Sequence, residues 1–392
     1  MMKIQIHRPQ NLFGETLIEI STAKTKILLD CGTNAEDNAL PATCEDLNIA
    51  DFSAVFLAHS HTDYVGLVGN NIYLSKLAGK IITAASTYQM RKVPAFAGYY
   101  QNRVPITVGD ITVTPVLVDR DDYDAYLFLI QGEGKCVLYA GDYRATGRKS
   151  FEEMLQNLPN KVDALLCEGL GLTSEDISLI TERDLEEQIT EVVSSKTGPI
   201  FVLQSVTDLD RTNTIFHAAK RNRRLFLEDL YLANISDAVG NIVPNPNGFV
   251  GVKAFLTTGY RPEHIRYRLF EKLNRVDKSQ LSSQKFVMCI RTNMKKFMKS
   301  LSQSVRFYDG ALIVSLPAGE RAQAAEFAQF AQSKGLEIKN LHTSGHADAR
   351  ALQALVSAVH PAKIVPVQLE NANWFIGEFS ANEVIKEDSI NL

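Results

Sequence analysis

The chain has 392 residues, a length that calls for two domains or one large α/β unit. Hydrophobic residues at 45% and charged residues at 22% describe a folded chain and exclude a mostly disordered one, and no stretch reaches the ~18 uninterrupted apolar residues of a membrane span. A net charge of −4 speaks against a nucleic-acid partner only if it is spread evenly, which it is not.

The opening MMKIQIHRPQ lacks the apolar core of a signal peptide, which points to the cytoplasm. Short strands separated by turns follow. Lys26-Ile27-Leu28-Leu29 runs into Asp30, Ala54-Val55-Phe56-Leu57-Ala58 into His59, and ITVTPVLV (Ile111 to Val118) into Asp119-Arg120-Asp121. CVLYA is closed by Gly141-Asp142, and Ala164-Leu165-Leu166-Cys167 leads to Glu168-Gly169. Polar residues thus recur at the ends of buried strands, where loops gather catalytic groups above a rigid sheet.

After about Thr173 the texture changes. The acidic segment from Glu175 to Val192 has a helical period, Pro199 to Gln204 reads as a strand, and Thr214–Lys220 as a helix ending in a basic run. Beyond the VPNPNGF loop comes a basic, mostly helical stretch. From Arg261 to Arg306 it holds 12 Lys and Arg against 3 Asp and Glu, a local +9 that leaves −13 for the remainder. Such segregation suits a polyanion-binding face, and equally a solvated helical surface. Strands return at ALIVSL, followed by a turn at His342 to His346, a helix from Arg350 to Val359 and a strand from Ile364 to Val367. The five cysteines are scattered and form no CxxC pair, as expected of reduced thiols.

The strongest chemical signal is His59-Ser60-His61-Thr62-Asp63-Tyr64 directly after an apolar strand. Alternating histidines on a tight loop can turn two imidazoles toward one cation, with Asp63 reaching a second position nearby. Neutral imidazole and carboxylate oxygen suit zinc or a similar divalent ion. The bland alternative is a pair of loop histidines satisfied by hydrogen bonds.

Asp30, the HxHxD run and Gly141-Asp142, in this order, resemble the metallo-β-lactamase fold. Glu168-Gly169, Ser344-Gly345-His346-Ala347-Asp348 and Pro366-Val367-Gln368-Leu369-Glu370 narrow the resemblance to the β-CASP branch, the RNase J-like nucleases. It spans nearly the whole chain, and the extra C-terminal domain of RNase J is not expected here. The fold it implies is an αββα sandwich interrupted by an inserted α/β domain: residues 1–185 and 326–392 as the metallo-β-lactamase core and 186–325 as the β-CASP insertion.

The resemblance casts His59, His61, Asp63 and Asp142 as metal ligands, with Asp142 bridging two ions, Asp30 as a buttress of the ligand loop, and His346 as the group that meets the scissile phosphate or protonates the leaving oxygen. Ser344, Gly345, Ser205 and Arg144 are the expected substrate contacts, although Ser205-Val206-Thr207-Asp208 also reads as an ordinary helix cap. Three expected histidines are replaced, by Tyr64, Arg120 and Gln368. The first metal position keeps His59, His61 and Asp142, and the second only Asp63 and Asp142. One zinc is therefore expected rather than two, with manganese or magnesium, or no ion, as alternatives. Arg120 adds a fixed positive charge that opposes a second dication and takes over as a phosphate clamp.

The implied activity is hydrolysis of phosphodiester bonds in RNA or single-stranded DNA, with Asp63 orienting or deprotonating the water. The competing expectation is a degenerate relative that binds nucleic acid or a protein partner without hydrolysis. RNA or single-stranded nucleic acid is the expected partner, no membrane is involved, and a homodimer is compatible with the sequence.

Overall fold

The computed structural model describes residues 1–7, 17–31, 47–60, 70–169, 180–316, 318–369 and 372–392. The chain divides into two compact units, one formed by Met1–Ser178 with Gly345–Leu392, the other by Leu179–Ser344.

The first unit contains two seven-stranded sheets. One runs in the order Ser389–Asn391, Lys3–Ile6, Ile18–Ser21, Lys26–Leu29, Ala54–Phe56, Ile72–Ser75, Gly98–Tyr100. The other runs Glu383–Val384, Lys363–Leu369, Ala164–Gly169, Lys135–Ala140, Ala125–Gly132, Ile111–Val118, Ile106–Val108. Side chains alternate across a strand, and both faces of the second sheet are covered, so its central strands read as unbroken apolar runs. Val137 and Tyr139 face the core shared with the first sheet, where Ile20, Leu28, Val55 and Phe56 sit. Leu138 and Ala140, one residue out of step, face a layer that includes Leu352, Leu355 and Val359 from the helix Ala349–Val359. On the outer side of the first sheet lies the helix Lys76–Gln89, capped by the Ser75 hydroxyl, which accepts the Ala78 N–H at 3.0 Å. The result is the αββα sandwich of the metallo-β-lactamase fold.

Strand direction decides where the polar residues collect. Lys26–Leu29 pairs parallel to Ala54–Phe56, so Asp30 and His59 emerge at one edge of the first sheet. In the second sheet Lys135–Ala140, Ala164–Gly169 and Lys363–Leu369 are mutually parallel. Ile111–Val118 is antiparallel to Ala125–Gly132, which is antiparallel to Lys135–Ala140, so Ile111–Val118 ends at the same edge as Asp142 and Glu168. The connection that follows it, Asp119 to Asp124, packs four aspartates and Arg120 into six residues.

The second unit is a doubly wound α/β domain around an all-parallel sheet in the order Val252–Phe255, Leu225–Asp229, Phe286–Ile290, Ile200–Leu203, Gly310–Val314, Leu336–Asn340. Two details differ from the sequence expectation. The basic stretch is not mostly helical, because the fully buried strand Phe286–Ile290 runs through its middle. The boundary expected at 325 falls inside the helix Ala318–Ser333, and the strand after it, Leu336–Asn340, completes this sheet, so the unit ends at Ser344.

Phe128 is wholly buried in the sandwich core, with ring contacts to Phe56 at 5.8 Å, Tyr100 at 5.5 Å and Tyr139 at 6.3 Å between centroids. Phe128→Ala leaves a cavity between both sheets and is expected to cost about 3–5 kcal/mol in chemical denaturation.

Candidate functional site

Asp30 stands just past the strand Lys26–Leu29 in a left-handed conformation, φ 52°. Its carboxylate accepts the Ala58 N–H at 2.7 Å and the Tyr139 hydroxyl at 2.6 Å, which anchors the chain immediately before His59. On the other side, Asp122 accepts both the N–H of Ser60, at 2.8 Å, and its hydroxyl, at 3.2 Å. His59 is therefore held between two buried carboxylates that bond its backbone neighbours. His61 and Asp63, the other expected ligands of this loop, lie outside the described residues, as does Tyr64.

Arg120 is the centre of charge. Its side chain is 1% exposed, with a terminal nitrogen 2.7 Å from Asp142 Oδ2 and the other terminal nitrogen 3.7 Å from Asp121 and 3.8 Å from Asp122. Burial works against the charged guanidinium. The carboxylates of Asp142, Asp121, Asp122 and Glu168 outweigh it and keep Arg120 charged at every accessible pH. Arg120, expected as a phosphate clamp, is buried and matched by carboxylates. Gly345 closes over this group: a Cβ there would come within 2.8 Å of an Asp121 carboxylate oxygen.

Beside this ion pair stands a second. His346 Nδ1 lies 2.7 Å from Glu168 Oε2, and the other Glu168 oxygen accepts the Ala347 N–H at 3.2 Å. Glu168 is buried, whereas the His346 side chain is 33% exposed. Burial opposes the imidazolium, but the Glu168 carboxylate, by charge and hydrogen bond, and then Asp142 lift its pKa to about 9. The pair is thus a carboxylate holding an imidazolium.

The remaining expected contacts divide. Arg144, an expected substrate contact, is 1% exposed and its Nε donates to Asp119 at 2.6 Å. The second Asp119 oxygen accepts the N–H groups of Arg148 and Lys149, and a Cβ on Gly147 would collide with this carboxylate. Ser205 and Ser344 belong to the second unit, where both are exposed. The Ser205 hydroxyl bonds that of Thr207 at 3.1 Å, and Asp208 caps the helix Leu209–Arg221 through the Arg211 N–H. Sequence reasoning missed Asp122, whose only signal was the density of aspartates around Arg120.

Does this donor set fit the metals of the resemblance? Tetrahedral zinc at ~2.0–2.1 Å from its ligands places neighbouring donor atoms roughly 3.3 Å apart. His59 Nε2 and Asp142 Oδ2 are 3.9 Å apart, and that same oxygen holds the Arg120 guanidinium. Among the described residues the two-ion centre does not fit, because a permanent cation already sits on its bridging carboxylate. One other group of donors is compact: Asp142, Glu168 and His346 each offer a ligand atom within 4.8 Å of the others.

Two predictions follow from these charges. Arg120→His supplies the missing imidazole and removes the competing cation, so zinc should stabilise this variant, by about 2.7 kcal/mol at 100-fold over its Kd, and leave the wild type unmoved in thermal unfolding. For His346, a folded pKa of about 9 against ~6.5 in the unfolded chain means stability fully present below ~6.5 and lost as pH rises through about 9. The stability gap between wild type and His346→Gln should be largest near pH 6 and vanish by about pH 10 in denaturation series.

Comparisons with known proteins give a family model, a curated relative and a solved structure with a similar fold. A family model described as the Zn-dependent metallo-hydrolase RNA specificity domain (RMMBL) matches residues 333–371, the segment that carries His346. The chain is 22% identical over 357 residues to Ribonuclease J 2 of Streptococcus pyogenes serotype M3 (strain ATCC BAA-595 / MGAS315), across 82% of this chain and 60% of that relative's length. It also shares its fold with the crystal structure of a protein of unknown function from Enterococcus faecalis V583, with a TM-score of 0.75, 17% identity and full coverage of both chains. The fold is that of the metallo-β-lactamase sandwich, and the match at residues 333–371 together with the distant likeness to Ribonuclease J 2 supports an RNase J-like, β-CASP relationship.

Proposed function

We propose that this chain binds RNA on a β-CASP hydrolase scaffold, with the Arg120 guanidinium doing the structural work of a metal ion and His346 meeting the phosphate. The observation that carries the reading is the 2.7 Å bond between Arg120 and Asp142. It neutralises the carboxylate expected to bridge two cations and ties together the loops after two strands. His346 is the cation that remains partly exposed, and it lies within the segment matched by the RNA-specificity model. Contact with a phosphodiester through an imidazolium needs no metal.

The second unit supports the choice of polyanion. A cavity of about 520 Å³ lies where the strand Val252–Phe255 ends, and Thr257, Thr258, Lys278 and Lys296 line it together with one carboxylate, Asp277. Ligands of parallel α/β sheets seat at this end of the strands. The local charge is smaller than the sequence count implies, since Arg291 pairs with Asp229 at 2.5 Å and Lys295 with Glu326 at 2.5 Å.

A second reading, phosphodiester hydrolysis with a single divalent ion, is favoured by the compact donor set of Asp142, Glu168 and His346. One experiment separates the two. A 5′-phosphorylated RNA oligomer is titrated with wild type, Asp142→Ala and His346→Ala, and cleavage is followed with and without zinc or manganese. The binding reading expects affinity kept to within about threefold in Asp142→Ala, lost roughly tenfold in His346→Ala, and no metal-dependent product. Product formed by wild type with metal and abolished in Asp142→Ala would overturn it in favour of hydrolysis.

A further inference from the structure

The opposite end of the second unit's sheet carries an open cavity of about 450 Å³. It lies where the chain enters the strands Val252–Phe255, Leu225–Asp229 and Phe286–Ile290, and Lys220, Arg223, Arg224 and Lys285 line it with Gln284. No aspartate or glutamate is among its lining residues.

Four cations around one cavity need an explanation. The C-terminus of the helix Leu209–Arg221 attracts positive charge, but its last carbonyls are already bonded by backbone N–H groups of Asn222, Arg223 and Arg224. Nor are the cations spent on carboxylates. Among the described residues none of Lys220, Arg223, Arg224 and Lys285 forms an ion pair, and Lys220 instead stands 5.8 Å from the centroid of the Phe216 ring.

Arg224 is the telling member. It is 7% exposed, and its guanidinium donates to the carbonyls of Gly198 at 2.6 Å, Val193 at 3.2 Å and Lys196. These partners fix the fork without cancelling its charge. Burial lowers its pKa, opposed only by the more distant Asp309, which is itself engaged by Thr197 and Lys196. A buried charge without a counter-ion is costly, and an anion in the cavity would relieve that cost.

We propose that this cavity is a phosphate-binding site, taking either a free polyphosphate or the phosphodiester backbone of a nucleic-acid strand. Its volume suits a ligand larger than a single phosphate. The proposal does not depend on the reading of the Arg120 and His346 pairs.

The test uses the full chain and the double variant Lys220→Ala, Lys285→Ala, which leaves the Arg224 anchor in place. Inorganic tripolyphosphate is titrated calorimetrically and a 12-nucleotide oligouridylate by fluorescence anisotropy. The double variant should lose affinity roughly tenfold for whichever probe the wild type binds. For the oligouridylate, the slope of log affinity against log salt should flatten by about 1.4, two contacts at ~0.7 each. Loss confined to tripolyphosphate identifies the free anion as ligand, and loss for the oligouridylate identifies the strand. Lys334→Ala, Lys386→Ala, two exposed lysines elsewhere, controls for bulk charge. The proposal is overturned if the wild type binds neither probe, if the double variant binds like wild type, or if the control loses as much.

Discussion

A guanidinium buried among carboxylates is the constraint on which the first unit rests. Asp142, Asp121 and Asp122 are brought to one sheet edge by strand direction, so their repulsion is built into the topology. A positive charge must sit among them for the edge to close. In this chain Arg120 supplies it from within the same aspartate-rich loop. Its planar fork spans several carboxylates at once, which the compact ammonium of lysine cannot do. The position expected to furnish a metal-binding imidazole instead furnishes the cation itself. The charge requirement of the fold is thereby met whether or not a metal is bound.

Much of this was legible in the sequence, and what was not has physical causes. Polar residues at the ends of apolar runs marked Asp30, His59, Asp142 and Glu168, because buried strands have few other places to carry them. Their convergence follows from parallel pairing, which the alternation of strands and helices implies. The burial of Arg144 was not legible, because spacing cannot tell whether a cation points outward or into its neighbours. Its partner Asp119 is 25 residues away in sequence, across an antiparallel pair of strands. The strand Phe286–Ile290 was hidden by the flanking Lys285 and Arg291, and the strand Leu336–Asn340 by its own charged residues, which suit its place at the edge of the sheet.

The two ion pairs at the first unit's sheet edge differ in one respect that matters chemically. Arg120 cannot release its proton and therefore contributes a constant field. His346 can, and its partner Glu168 together with Asp142 sets the pH at which it does so. The Arg120 charge works in the opposite sense on the same imidazole, so the fixed cation moderates the titratable one. Any change that removes the Arg120 charge must also shift His346 further toward its charged form, which couples the two pairs.

Buried arginines elsewhere in the chain show what an internal cation looks like when structure alone accounts for it. Arg144 meets Asp119, and Arg211, wholly buried in the second unit, meets Glu182 at 2.9 Å and donates to the Thr343 hydroxyl at 2.7 Å. In each, a carboxylate repays the loss of water. Arg120 follows the same rule with Asp142. Arg224 does not: its hydrogen bonds are satisfied by carbonyls, and the cavity it helps to line carries three further cations. Geometry and charge are separate requirements for a buried guanidinium. Where the first is met and the second is not, an anion bound in the cavity would supply the missing counter-charge.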